Sequence, residues 1–181
     1  MYINVCTILL FTLIWAGIVA YLRVKKKKSV RYVLLFTIFY IYLFKVLDYT
    51  LFQFQTLLLL KQFMPNLMLR GQEAGKTLNL IPLATLTADD IKTSLLNILL
   101  FVPFGLGLPF ITKLRMKKIV VLGAVFSVGI EALQFVTGLA AGISFRVADM
   151  NDVIFNTAGA AIGYVLFAFY LRLSLQYIAD R

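Results

Sequence analysis

Seven side chains in the second half of this 181-residue sequence carry most of its capacity for chemistry: Asn97, Glu131, Gln134, Arg146, Asp149, Asp152 and Asn156. Paired carboxylates such as Glu131 and Asp152 suit general acid and base work, and three together suit a hard cation such as Mg²⁺ or Ca²⁺. The sequence has no His, and its single cysteine, Cys6, lies in an apolar stretch, which leaves no basis for imidazole acid–base chemistry, thiolate zinc sites or an internal disulfide. No activated nucleophile stands out, and no loop of defined ligand geometry accompanies the carboxylates. Neither a metal nor a cofactor is therefore expected, and an enzymatic role is left open with the non-enzymatic one ahead of it.

The elements that must position these residues follow from composition. Hydrophobic residues make up 61% of the chain and charged ones 14%, with a mean hydropathy of +0.91, far from the mixture of a soluble domain. A helix needs about 20 apolar residues to cross a hydrocarbon core of roughly 30 Å. Five stretches approach that length, residues 2–22, 32–47, 95–111, 119–138 and 153–173. The sequence thus predicts an all-α, polytopic integral membrane protein with about five transmembrane helices, forming a single membrane domain over 1–181. The first stretch is read as a retained helix, because its basic cluster follows the apolar run where a signal peptide would place it in front. Beyond Lys45 and Asp48 the second apolar run continues through Leu57–Leu60 until Pro65 and Asn66, so that helix protrudes or turns along the interface. Residues 65–93 form the one sizeable polar stretch, an external loop.

Short cytoplasmic loops collect Lys and Arg. Arg23, Lys25 to Lys28 and Arg31 mark the first connection as inside, and Lys113, Arg115, Lys117 and Lys118 mark the third. Alternation then puts the N-terminus outside and the C-terminus, with Arg172 and Arg181, inside. The net charge of +10 is accordingly confined to loops between apolar runs, with no polar surface suited to nucleic acid.

With this orientation the polar residues share a depth. Asn97 follows the entry of the third helix, Glu131 and Gln134 precede the exit of the fourth, and Asp152 and Asn156 open the fifth, all within roughly 10 Å of the outer surface at about 1.5 Å per residue. Arg146, Asp149 and Asn151 lie in the loop above. At about 100° per residue Asp149, Asp152, Asn156, Gly159 and Gly163 form one stripe, and Gly123, Ser127, Glu131, Gln134 and Gly138 form another on the fourth helix. These two faces are expected to pack together, helped by the small-xxx-small pattern of Gly159 and Gly163. Pro103, with Gly105 and Gly107 behind it, predicts a kink or break in the third helix. Lys45 and Asp48, three residues apart, form an intrahelical pair or a second wall of the same cavity.

A buried charge is costly in lipid, so Glu131 needs a partner, protonation or water, and Arg146 is the evident partner. One reading is a latch of Glu131, Arg146, Asp149 and Asp152 that aligns helices and fixes the loop. The other is a site, open to the outer face, for a polar head group.

Taken together, Asn79-Leu-Ile-Pro82, Asn97-Ile-Leu-Leu-Phe-Val-Pro103-Phe-Gly105, Ser127 with Glu131 and Gln134, and Arg146 with Asp149, Asp152, Asn156, Gly159 and Gly163 resemble the signature of the VanZ-like family. The match in order and spacing runs from about residue 79 to 163; the first two helices match only in being apolar. This resemblance implies a multi-pass plasma-membrane protein of mostly Gram-positive bacteria, in a family whose founding member confers resistance to teicoplanin, a lipoglycopeptide, and less to vancomycin. It implies neither an established enzymatic activity nor a cofactor. The expected partners are membrane lipids, with a lipid-linked cell-wall precursor or the lipoglycopeptide itself as further candidates. Two alternatives stand beside resistance: a membrane enzyme modifying a lipid-linked envelope substrate, and a small lipid transporter or flippase built around Pro103.

Overall fold

A computed structural model describes residues 5–51, 72–73, 78–79, 81–82, 88–141, 143–144 and 148–179. Five helices dominate it: α1 (Val5–Val24), α2 (Val30–Leu51), α3 (Ala88–Ile111), α4 (Met116–Ala141) and α5 (Met150–Ala179). All five are long and apolar enough to cross a membrane. The expected spans are therefore present, with α3 starting two turns earlier and α5 reaching further at both ends than apolar content alone indicated. Their outward faces are apolar, as lipid demands: Leu13, Ile38, Leu99, Val125 and Phe169 are all exposed.

Inside the bundle, α2, α3 and α4 interleave an aromatic core. Phe101 is fully buried, and Phe104 stacks on Phe126 with ring centroids 5.7 Å apart. Phe39 reaches the same cluster from α2, 6.0 Å from Phe104. Helix α1 is peripheral and rests on α2 through Phe11 against Phe44 and through the Trp15 Nε1–H bond to Thr37 Oγ1, 3.1 Å long.

The two polar stripes do bring α4 against α5, but the tightest contact joins α3 to α5. Gly105, Gly159 and Gly163 line it. A Cβ on Gly105 would collide with the carbonyl oxygen of Ala160, and one on Gly163 with that of Val102. The two backbones approach so closely that no side chain fits between them, which is how membrane helices gain dispersion contact without a hydrophobic driving force. Gly159 and Gly163 thus face α3, while the polar residues of α5 reach both α3 and α4. Helix α4 still meets α5, above through its polar face and lower down where Gly123 lies against Ala160.

Of the kink or break expected at Pro103, the break is absent: α3 runs unbroken through both Pro103 and Pro109. Proline removes one backbone donor and normally kinks a helix. Here the glycine seam clamps α3 against α5, and Tyr42 of α2 donates its hydroxyl to the carbonyl of Leu100, 2.7 Å away, beside the position where Pro103 leaves the ladder short.

Two short strand pairs close one end of the bundle. β1 (Gln72–Glu73) pairs antiparallel with β3 (Ile143–Ser144), and β2 (Leu78–Asn79) pairs parallel with β4 (Ala148–Asp149). The polar stretch before α3 is thereby stitched to the α4–α5 connection.

Candidate functional site

The site is assembled at the start of α5. Asp149 precedes the first turn, and its Oδ1 accepts the N–H of Asn151 at 2.8 Å, an N-cap that satisfies one orphan donor of the helix. The same carboxylate accepts from Asn79 Nδ2 at 3.2 and 3.3 Å, so that a side-chain clamp reinforces the β2–β4 backbone pairing of these two residues. Asn79 also turns its own chain, accepting the N–H of Ile81 at 3.3 Å, with Pro82 exposed beyond it.

From α4, Glu131 reaches across: its Oε2 accepts the backbone N–H of Asp149 at 3.1 Å. At 9% exposure, this carboxylate depends on such donors to remain in a low-dielectric setting. One turn into α5, Asp152 accepts from Asn97 Nδ2 of α3. Another turn down, Asn156 donates to Ser127 Oγ at 2.8 Å, both residues buried. Three polar layers therefore descend from the strand pair into the bundle, joining α4 to α5, then α3 to α5, then α4 to α5 again. The floor is incompletely satisfied: Asn156 Oδ1 is buried with no partner among the described residues.

Of the seven residues expected to converge, Glu131, Asp149, Asp152, Asn97 and Asn156 do so. Gln134 turns aside and donates to the backbone carbonyl of Thr50 at 3.1 Å, tying α4 to the end of α2. Arg146 lies outside the described residues, as does any pairing of it with Glu131. Gly105, Gly159 and Gly163 belong to the seam beneath the site, whereas Pro103 is exposed on α3. Among the described residues, no three of Asp, Glu, Cys and His gather as a metal-ion cage would require.

Two participants lie beyond those seven: Ser127, already placed on the polar face of the fourth helix, and Thr50. Ser127 carried a readable signal, being one helical turn from Glu131 on the same face. Thr50 carried none, since only its backbone carbonyl is used. Lys45 and Asp48 do form the predicted pair at 3.2 Å, but unequally: Lys45 is 59% exposed and Asp48 only 2%, with Asp48 Oδ1 unpartnered among the described residues.

Among the described residues the arrangement sets carboxylates against amide donors. Carboxylates of three residues, an amide oxygen and a hydroxyl line one end of a membrane-spanning bundle, held by a strand clamp and a helix cap. This is a multi-pass helical membrane protein with an acidic, amide-lined end. The sequence pattern of the VanZ/LLP1 family matches residues 39–172, most of the chain, and the protein belongs to that family. No curated protein and no solved structure matches it.

Proposed function

We propose that this protein acts at the outer face of the plasma membrane, in resistance to teicoplanin and related lipoglycopeptides, by engaging the polar head group of an envelope lipid, of a lipid-linked cell-wall precursor or of the antibiotic. Membership of the VanZ/LLP1 family supports the association with resistance, because the family's founding member confers it. The observation that carries the site is the gathering of Glu131, Asp149, Asp152, Asn97 and Asn156 at one end of the bundle, where the helices meet the strand pairs.

Positive charge supports the orientation, with the N-terminus outside and the C-terminus inside, since the Lys- and Arg-rich connections lie at the opposite end. A lipid-anchored ligand presents its amines and hydroxyls at the height of the acceptors. Arg146, three residues before Asp149 in sequence, is a cation that suits phosphate or carboxylate on the same ligand. A non-enzymatic role is favoured because the carboxylates are engaged by amide donors and, among the described residues, no activated nucleophile adjoins them.

The test is susceptibility to teicoplanin and vancomycin in cells with and without the gene, with Glu131→Gln and Arg146→Ala variants expressed at wild-type level. Loss of protection against teicoplanin in both variants is expected, with vancomycin little affected. Full protection in both variants would sink the assignment of the site, and a changed mass of envelope lipids or precursors would favour the enzymatic alternative.

A further inference from the structure

At the opposite end of the bundle, the ten cations of the two short connections, Arg23, Lys25, Lys26, Lys27, Lys28, Arg31, Lys113, Arg115, Lys117 and Lys118, are all exposed. None is ion-paired among the described residues, where the single salt bridge is Lys45 with Asp48 at the other end. All described Asp and Glu residues belong to that other end: Asp48 near the close of α2, Glu73 in β1, Asp89 and Asp90 in the first turn of α3, Glu131 in the upper half of α4, and Asp149 and Asp152 at the start of α5. Uncompensated positive charge at a membrane boundary attracts anionic surfaces, by roughly fivefold per lysine near the surface at moderate ionic strength.

The lysine cluster is also built, not loose. The N–H groups of Lys25 and Lys26 both donate to the carbonyl of Tyr21, at 2.9 and 3.2 Å, and that of Lys28 to Leu22 at 3.0 Å, winding the chain into a tight turn after α1. Arg23 Nη1 pins the turn by donating to the Lys28 carbonyl at 2.7 Å. Lys27 sits in the left-handed region at φ 49°, a conformation that glycine adopts far more readily. A lysine kept where glycine is easier suggests that its charge is used. Lys28 Nζ stands 4.6 Å from the Tyr32 ring centre, and the Tyr32 hydroxyl donates to the carbonyl of Ile111 at 3.1 Å, joining this turn to the α3–α4 connection with its own four cations.

We infer that the α1–α2 turn and the α3–α4 connection together form a binding patch for the phosphate head groups of anionic phospholipids. A phospholipid is favoured over nucleic acid because both connections are only a few residues long and hold their charges against helix ends with Tyr21 and Tyr32 at the boundary, where amphipathic rings settle between lipid and water. This patch is independent of the acidic end and of any ligand there.

The full-length protein, purified in a neutral detergent, is offered fluorescent phosphatidylglycerol or fluorescent phosphatidylcholine, and the lipid retained per protein is measured against salt. Wild type should retain several-fold more phosphatidylglycerol, and the excess should collapse above about 0.5 M salt, where screening acts over only a few ångströms. Replacing Lys25, Lys26, Lys27 and Lys28 together by Gln should remove most of the excess, while Lys45→Gln at the other end should leave it intact. Lys26→Gln and Lys28→Gln singly, which keep every backbone bond of the turn, repeat the test at smaller amplitude should the fourfold change impair folding. Equal retention of the two lipids, a preference that ignores salt, or a preference unchanged in the single variants would overturn the inference. So would an oligonucleotide or inorganic phosphate that displaced phosphatidylglycerol at equal charge concentration.

Discussion

The two ends of this bundle solve opposite problems with the same five helices. At one end, acids and amides are drawn inward, capped, clamped and layered between α3, α4 and α5. At the other, lysines and arginines are held outward and, among the described residues, left without acidic partners. Inward polar groups must be satisfied by the protein because lipid offers nothing, whereas outward ones are satisfied by water and head groups. In the proposed reading, the first arrangement serves as a specific interior site and the second as a surface whose affinity follows charge and salt. Between them lies the glycine seam of α3 and α5, on which both ends depend.

The largest expected effect comes from that seam. Gly163→Leu places a side chain where the Val102 carbonyl already lies, so α3 and α5 must separate, and neither end survives. The protein should fail to accumulate as a monodisperse species in detergent, by size-exclusion chromatography. A stable, correctly sized variant would show that the seam is not what joins the two ends.

Asp149→Ala separates the ends. It removes a helix cap, worth about 1 kcal/mol, and two bonds from Asn79 to a charged acceptor, worth together roughly another 1–3 kcal/mol. Thermal unfolding of the purified protein should show a clear drop, while Asp149→Asn, which keeps the cap, should lose less. Glutamine at Lys25 to Lys28 should scarcely move the same transition. Equal losses from both ends would break the comparison.

How much of this was legible in the sequence follows from what each signal measures. Apolar run length located all five helices, and helical rise and angle brought Glu131, Asp152 and Asn156 to one end of the bundle, because these signals depend only on local periodicity. Which helix faces which does not. Gly159 and Gly163 were placed on the right stripe of α5 and assigned the wrong neighbour, since a periodic face names no partner. Pro103 reads as a kink or break in isolation, yet tertiary packing holds α3 continuous. The pairing of residues 78–79 with 148–149 joins segments about 70 positions apart with only two residues each, too short for an alternating pattern to register.

A smaller effect probes the floor of the acidic end. Ser127→Ala strands the Asn156 amide and should cost about 1–3 kcal/mol, whereas adding Asn156→Leu removes both polar partners and should recover most of the loss. A double-mutant cycle in thermal unfolding reads the coupling. Smallest of all is Lys27→Gly, which relieves a left-handed lysine and should raise stability by up to about 1 kcal/mol while lowering phosphatidylglycerol retention. Stability and lipid binding that fell together would mean that the turn is not strained for the sake of its charge.

The central claim is that the acidic end faces outward and the basic end inward. Single cysteines introduced as Ile81→Cys and Lys117→Cys, both exposed sites, in a Cys6→Ser background test it with a membrane-impermeant maleimide on intact cells. Ile81→Cys should label at once and Lys117→Cys only after permeabilisation; the reverse pattern would place the acidic site on the cytoplasmic side and contradict the account.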